Sequence, residues 1–447
     1  MRDENASEAR ETVLKALIQD IGDRNVLTDP ADGLHYLSDW THRFSGDAFA
    51  IVRPANVHEV SSVMKTCAKF GVAVVPQAGN TSVSGGATPP KGANCIVLSV
   101  ERLNTITQIN TTARTATVEA GVVLETLQNA LEKEDLIFPL MFGARGSCMI
   151  GGNLATNAGG SNVLRYGNTR DLCLGIQAVL PDGSIIEDLS GLRKNNTGYD
   201  LRNMLIGSEG TLGIITAAVL KLFPAPKVRV TAFLSLKTLE VAPRVLNAIQ
   251  DRIGGLVEAF EYMPGHIVDV ILGAVGDTKA PLNETAETGI LLEVASTRHD
   301  DAQTLEDGTV QLQNALMDVL GEAMETGDIV DATIAASEQH RIDLWHVRES
   351  VLEAILAQGH SYHTDISLPL DRIAQFIATM DARLEENGFR PLTIGHLGDG
   401  NLHYAIAAKD DSQCDEQQEA TAKNSAFVFA ELIPHVFPLA AGGLLRL

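Results

Sequence analysis

Apolar positions recur along this chain with two periods, and the alternation between them lays out the elements. Val13, Leu14, Leu17, Ile18 and Ile21 fall at helical spacing, which predicts a short amphipathic helix over 11–21. Residues 26–46, with Trp40 and Arg43, read as loop. A strand over 48–53 ends at Pro54, a helix over 57–70 turns Val60, Val63, Met64 and Cys67 inward, and a strand over 71–75 is stopped by Pro76, which cannot donate to a ladder. Strands follow at 95–99, 106–109 and 115–119, then a helix over 124–133. A hairpin, 175–180 with 184–187, folds about Pro181-Asp182-Gly183, a turn signal. A long buried strand covers 213–223. Pro224 and Pro226 then break the chain, and the domain boundary is expected there, between residues 1–225 and 226–447.

Beyond Lys227 the rhythm changes to strand–helix alternation. Strands are predicted at 228–236, 256–262 and 289–295, and helices at 239–252, 266–272, 300–320 and 332–356. A strand over 361–367, a helix over 370–387 and strands at 392–396 and 401–407 complete the pattern, which predicts an α/β cap built on an antiparallel sheet.

The chain's 447 residues suffice for two or three domains and a large core. Its net charge of −23, from 34 basic and 57 acidic residues, argues against nucleic acid and anionic membranes as partners. An anionic substrate would need locally placed Arg, His or metal. The five cysteines, Cys67, Cys95, Cys148, Cys173 and Cys414, make no C-x-x-C, and an odd, scattered set fits reduced thiols. Residues 1–11 are charged and lack an apolar signal core, and no apolar run is long enough to span a bilayer. A cytoplasmic location is expected.

Three stretches are almost without bulk. Val74 to Ala87 reads Val-Val-Pro-Gln-Ala-Gly-Asn-Thr-Ser-Val-Ser-Gly-Gly-Ala; Gly146 to Gly167 contains Gly151-Gly152-Asn153 and Asn157-Ala158-Gly159-Gly160; Ile206 to Thr216 contains Gly207-Ser208-Glu209-Gly210. Such loops can turn N–H groups inward around an anion, or can be ordinary Gly-rich turns. Neither G-x-G-x-x-G nor the P-loop pattern is present. Three of them together suggest one long ligand lying along exposed backbone.

These stretches closely resemble the FAD-linked oxidases of the vanillyl-alcohol oxidase and p-cresol methylhydroxylase superfamily, in the branch of the D-2-hydroxyacid dehydrogenases (D-2-hydroxyglutarate dehydrogenase, D-lactate dehydrogenase and the glycolate oxidase flavin subunit). The likeness runs from about Trp40 to about Glu431. It implies an α+β chain: a two-part FAD-binding domain of p-cresol methylhydroxylase type, then the cap. The resemblance carries FAD contacts onto Pro76, Gln77, Ala78, Gly79, Asn80, Thr81 and Ser82, with Gly85 and Gly86, whose N–H groups would take the diphosphate. Further contacts fall on Pro139, Gly143 and Ser147, on Gly151, Gly152, Asn157 and Gly160, and on Glu209, Gly210 and Ile214, the last beside adenine or ribose. Asn80 stands where covalently flavinylated relatives have His, so FAD is expected to be held without a covalent link.

His396 and His403 flank Leu-Gly-Asp-Gly-Asn-Leu. On residues alone the pair is either a partial metal site or two polar histidines beside a turn, because metals ordinarily want three or four protein ligands. The resemblance implies a divalent metal, zinc-like, on both histidines, with Asn401 beside them. Arg348, in Leu344-Trp-His-Val-Arg-Glu349, reads alone as a helix-face ion pair; the resemblance makes it the partner of the substrate carboxylate. His363 stands where hydroxyglutarate dehydrogenases have Lys, and Ala405 where close relatives often have Asn. Relatives continue with a Ser-x-Glu-His-Gly-like segment that supplies a third metal ligand. No Glu-His-Gly occurs in this chain, whose C-terminal return segment is expected to be missing or altered after Glu431.

The implied activity is FAD-dependent oxidation of a D-2-hydroxyacid (D-lactate, glycolate or D-2-hydroxyglutarate) to the 2-oxoacid, with hydride passing to flavin N5. Electrons would go to a carrier protein or quinone-linked acceptor, and a homodimer is one candidate assembly. An oxidase that uses O₂ and a non-catalytic flavin-binding subunit of a larger complex are the alternatives.

Overall fold

The structure, a computed structural model, describes residues 2–359 and 361–408. The chain divides into two compact units. One takes the residues up to Gly159 together with Gly167–Ala225; the other takes Gly160–Tyr166 and the described residues from Pro226 onward.

The first unit holds a four-stranded sheet, a five-stranded sheet and the short pair Leu136–Ile137 with Phe223–Pro224. In the four-stranded sheet the order is Val26–Leu27, Ile51–Val52, Cys95–Ser99, Ala73–Gln77, the last two pairings parallel. The helix Val57–Phe70 packs on it. Asn56 caps its first turn by accepting from the Glu59 N–H, and Gly71, at φ 65°, closes its end in the left-handed region that glycine tolerates. The five-stranded sheet is antiparallel throughout, in the order Ile106–Asn110, Thr115–Glu119, Ile214–Lys221, Cys173–Val179, Ile185–Asp188.

Two expectations for this unit fail for local reasons. Pro76 does not stop its strand, which continues to Gln77. This is an edge strand, where proline's missing N–H is tolerated. Nor is 26–46 all loop. It contains the short strand Val26–Leu27 and the helix Pro30–Leu37, started by the Asp29 side chain accepting from Ala31 N–H and by proline in the first turn. With only eight residues, that helix carries too few apolar positions to show a period.

The second unit is built on one antiparallel seven-stranded sheet. Its order is Ile329–Ile334, Val228–Leu236, Thr288–Ser296, Val257–Pro264, Phe389–His396, Asn401–Ala408, Ser361–Ser367. Helices cover both faces, so strand interiors are apolar on both sides. One face, with Phe260, Leu292, Leu402 and Tyr404, packs against Ala242–Ile253, Gln311–Glu325 and Ile373–Glu386. The other, with Phe233, Leu291, Ile394 and Ala405, packs against Gly265–Ala274, Glu338–Glu349 and Val351–Leu356.

The long helices expected at 300–320 and 332–356 are both interrupted. In the first, a turn at Asp307 and Gly308 (φ 85°) precedes a helix that starts only at Gln311. In the second, residues through Ile334 form the edge strand beside Val228–Leu236, the helix begins after Ser337, whose hydroxyl accepts from His340 N–H, and it breaks at Ser350.

Candidate functional site

The three small-residue loops converge in the first unit. Gly79 lies so close to the second loop that a Cβ would stand 2.3 Å from the Ser147 carbonyl oxygen, and a Cβ on Gly210 would stand 2.3 Å from Pro76 Cγ. The third loop is tied to the second by Gly207 N–H donating to Leu154 O (3.0 Å) and Glu209 N–H to Ala155 O (2.9 Å). Asn80, Asn157 and Glu209, one in each loop, adopt positive φ near 50°, a conformation that costs a non-glycine residue free energy and clusters at functional sites.

Several predicted contacts have structural duties. Gln77 is buried and donates to the carbonyls of Tyr36 and Ala87; Asn80 donates to those of His35 and Ser38. Asn157 accepts from Arg170 N–H, while Gln128 donates to the carbonyls on either side of Pro139. Gly151 closes on Ala120 and Gly152 on Ala78. Ile214 is packed into the core beside Val60 and Leu98. Gly143 opens a short 3-10 turn, Ser147 is exposed, and Gly85 (φ 70°) sits against Phe44, with Gly86 exposed beside it. Gly160 falls in the second unit.

Among the described residues, no backbone carbonyl accepts from the N–H groups of Gly79, Asn80, Thr81 or Ser82. The buried Ser208 hydroxyl likewise has no partner. Open N–H groups on a loop held in place by Gln77 and Asn80 suit an anion, and these residues fit the diphosphate of a flavin dinucleotide.

The second cluster is on the sheet of the other unit. His396 ends one strand and pairs in register with Asn401, the first residue of the next; His403 pairs with Ile394. Side chains alternate along strands, so the two histidines face the same side. Gly400, at φ 86°, makes the turn between them possible. Their Nε2 atoms stand 3.1 Å apart, with ring planes at 82°. Each Nδ1 meets a carboxylate: His396 meets Glu261 at 2.8–2.9 Å, and His403 meets Asp365 at 2.5 Å.

Glu261 also receives Arg348, through Nε at 2.9 Å and Nη2 at 2.8 Å, both on Oε2. Its side chain is 1% exposed. Burial works to raise its carboxyl pKa, but the charges of His396 and Arg348 hold it below the usual carboxylate range. Arg348 therefore does pair with a glutamate, though one on a strand rather than on its own helix face. Arg341, Trp345 and Arg348 line one stripe of the helix Glu338–Glu349; the first two reach Glu293 at 3.2 and 2.8 Å. Glu258 in turn accepts from Arg165 (3.0 Å) and the Tyr166 hydroxyl (2.6 Å).

His363 lies two residues before Asp365 on the same strand, hence on the same face, and its Nε2 meets the Ser361 hydroxyl at 2.8 Å. Asn401 N–H donates to Asp399. Sequence reading missed Glu261. The available signal was a charged residue inside the apolar run Val257 to Met263, because a buried charge must find a partner.

Two imidazole nitrogens on one tetrahedral zinc ion, each at about 2.0–2.1 Å, would stand about 3.3 Å apart. The observed pair, each ring oriented by a carboxylate, fits two corners of such a site. Among the described residues no group of three or more His, Cys, Asp or Glu side chains is disposed to hold a metal. The stretch beyond Ala408, where the third-ligand and return segments are expected to be missing or altered, lies outside the described residues.

No described helix is long and apolar enough to cross a membrane. The four described cysteines are free and buried, and burial pushes Cys67 and Cys173 up to about 12.

Residues 48–188 match the FAD binding domain model, and residues 225–435 match the model of the C-terminal domain of FAD linked oxidases. The chain is 38% identical over 385 residues to a D-2-hydroxyglutarate dehydrogenase of Xanthomonas citri pv. viticola, covering 86% of this chain and 78% of that protein. It is 35% identical over 388 residues to the mitochondrial D-2-hydroxyglutarate dehydrogenase of Rattus norvegicus, covering 87% and 70%. The fold is that of p-cresol methylhydroxylase with substrate bound, at a TM-score of 0.71 and 14% identity, over 95% of this chain and 87% of that one. The expected α+β, p-cresol methylhydroxylase-type architecture is thus present, and the chain belongs to the FAD-linked oxidases, within the family of FAD-dependent enzymes that contains the D-2-hydroxyglutarate dehydrogenases.

Proposed function

We propose that the protein oxidises a D-2-hydroxyacid to its 2-oxoacid, with D-2-hydroxyglutarate, the substrate in its relatives' names, as the first candidate and D-lactate and glycolate behind it. The observation that carries the reading is that Glu261, a buried carboxylate, joins Arg348 to His396, whose Nε2 stands 3.1 Å from that of His403. FAD, bound without a covalent link by the converged loops, would supply the hydride acceptor. A divalent ion held by His396 and His403 would supply Lewis-acid polarisation of the substrate hydroxyl.

The chain's own residues do the rest. Glu261 occupies the Nε and one Nη2 position of Arg348, which leaves the Nη1 edge to bind the C1 carboxylate of the substrate. Glu261 and Asp365 keep the Nδ1 protons of His396 and His403, so both Nε2 lone pairs point to the same spot. His363, two residues before Asp365 on the same strand face, accepts the hydroxyl proton as C2–H leaves. The net-negative protein relies on Arg348 and the histidine pair to draw in an anion. Electrons then leave to a carrier or quinone-linked acceptor, from a protein that works in the cytoplasm.

Anaerobic titration of the purified yellow protein with D-2-hydroxyglutarate, D-lactate, glycolate and the L-enantiomers tests the reading. Bleaching of the flavin absorbance by one D-acid and not its L-form supports it. A yellow protein bleached by none of them contradicts it.

A further inference from the structure

We infer that Glu261 is a positioning residue that ties His396 to Arg348, so that one carboxylate sets both the cation-holding and the anion-holding edge of the site. The inference rests on the reading proposed above. Its basis is an asymmetry between the two carboxylates behind the histidines. Among the described residues the Asp365 side chain meets His403 and no second cationic group, and it is 24% exposed. Glu261 is 1% exposed and serves two groups, His396 and Arg348, at 2.8–2.9 Å.

A buried carboxylate that accepts from both an imidazole and a guanidinium has little freedom to turn toward one without releasing the other. Holding His396 Nδ1–H fixes that ring's tautomer and aims its Nε2 at His403. Taking Nε and Nη2 of Arg348 fixes the plane of the guanidinium and decides which edge remains for an incoming carboxylate. A change at Glu261 must therefore be felt at both edges, whereas one at Asp365 is felt first at the histidine pair.

The test uses the full flavin-loaded chain, with Zn²⁺ as the metal probe in chelator competition and D-2-hydroxyglutarate for steady-state kinetics at saturating zinc. E261Q should weaken zinc by about 10–100-fold, the ordinary effect of removing a carboxylate behind a metal-binding histidine. It should also raise KM by about tenfold more than D365N does, the scale of a lost hydrogen bond to a charged group. D365N should weaken zinc with a smaller change in KM. E261D, which keeps the charge but is one methylene shorter, should fall between wild type and E261Q in both readings, and it carries the test if E261Q does not fold. Equal KM shifts in E261Q and D365N, or wild-type zinc affinity in E261Q, would overturn the inference while leaving the proposed site standing. Zinc held as tightly by H403A as by wild type would overturn the inference together with the reading beneath it.

Discussion

The Nε2 atoms of His396 and His403 lie 3.1 Å apart, each ring held from behind by its own carboxylate. Two lone pairs this close repel unless a proton or a cation sits between them, so the geometry selects for a positive charge at that point. Replacing His403 by Ala should remove chelatable zinc and lower kcat/KM by about a thousand-fold, since Lewis-acid polarisation is worth several kcal/mol. Metal analysis and steady-state kinetics check this on one preparation.

Arg348 should contribute through shape as well as charge. In R348K the ammonium can still neutralise Glu261, but the planar edge that meets a carboxylate is lost. The expected result is a folded, flavin-loaded enzyme whose kcat/KM falls by about 10–100-fold, mostly in KM. Substrate-dependence curves for wild type and R348K check it.

Gly79 should be intolerant of a side chain. Its Cβ would meet the Ser147 carbonyl oxygen at 2.3 Å, far inside contact distance, so G79A must push the first two loops apart. The variant should purify with little bound flavin while its far-ultraviolet circular dichroism stays near wild type. The ratio of flavin to protein absorbance reports the outcome.

Asp381 offers a pH test away from the histidines. It accepts from the Tyr404 hydroxyl at 2.6 Å, and burial pushes its carboxyl up to about 6 from an ordinary 3.8. The folded state therefore binds this proton more tightly than the unfolded chain does. The contribution is fully present below about pH 4 and is lost as pH rises through about 6, amounting to about 3 kcal/mol across the window. D381N should remove that part of the pH dependence and raise the thermal midpoint at pH 7–8 relative to wild type, with little difference near pH 4. Melting curves at several pH values check the sign.

Much of the fold was legible because both strong periods were present. The helix Val57–Phe70 has a capping Asn56 and a closing Gly71, and the strands Cys95–Ser99, Thr115–Glu119 and Ser361–Ser367 are bounded by turn residues. Reading failed where tertiary context decides. Pro76 survives in a strand because the strand is an edge, and Ala332 joins a strand because Val228–Leu236 offers an unpaired neighbour. At the site, the histidine pair and Arg348 could be found from short motifs. Glu261 could not be joined to them, because 135 residues separate it from His396 and only sheet pairing brings the two together.

The most direct measurement is anaerobic flavin reduction by D-2-hydroxyglutarate before chelation, after chelation and after zinc is restored. The account predicts rapid bleaching, its loss on chelation and its return with zinc in wild type, and no return in H403A. Bleaching that is indifferent to the chelator, or unchanged in H403A, would contradict the claim that this histidine pair holds the cation on which the chemistry depends.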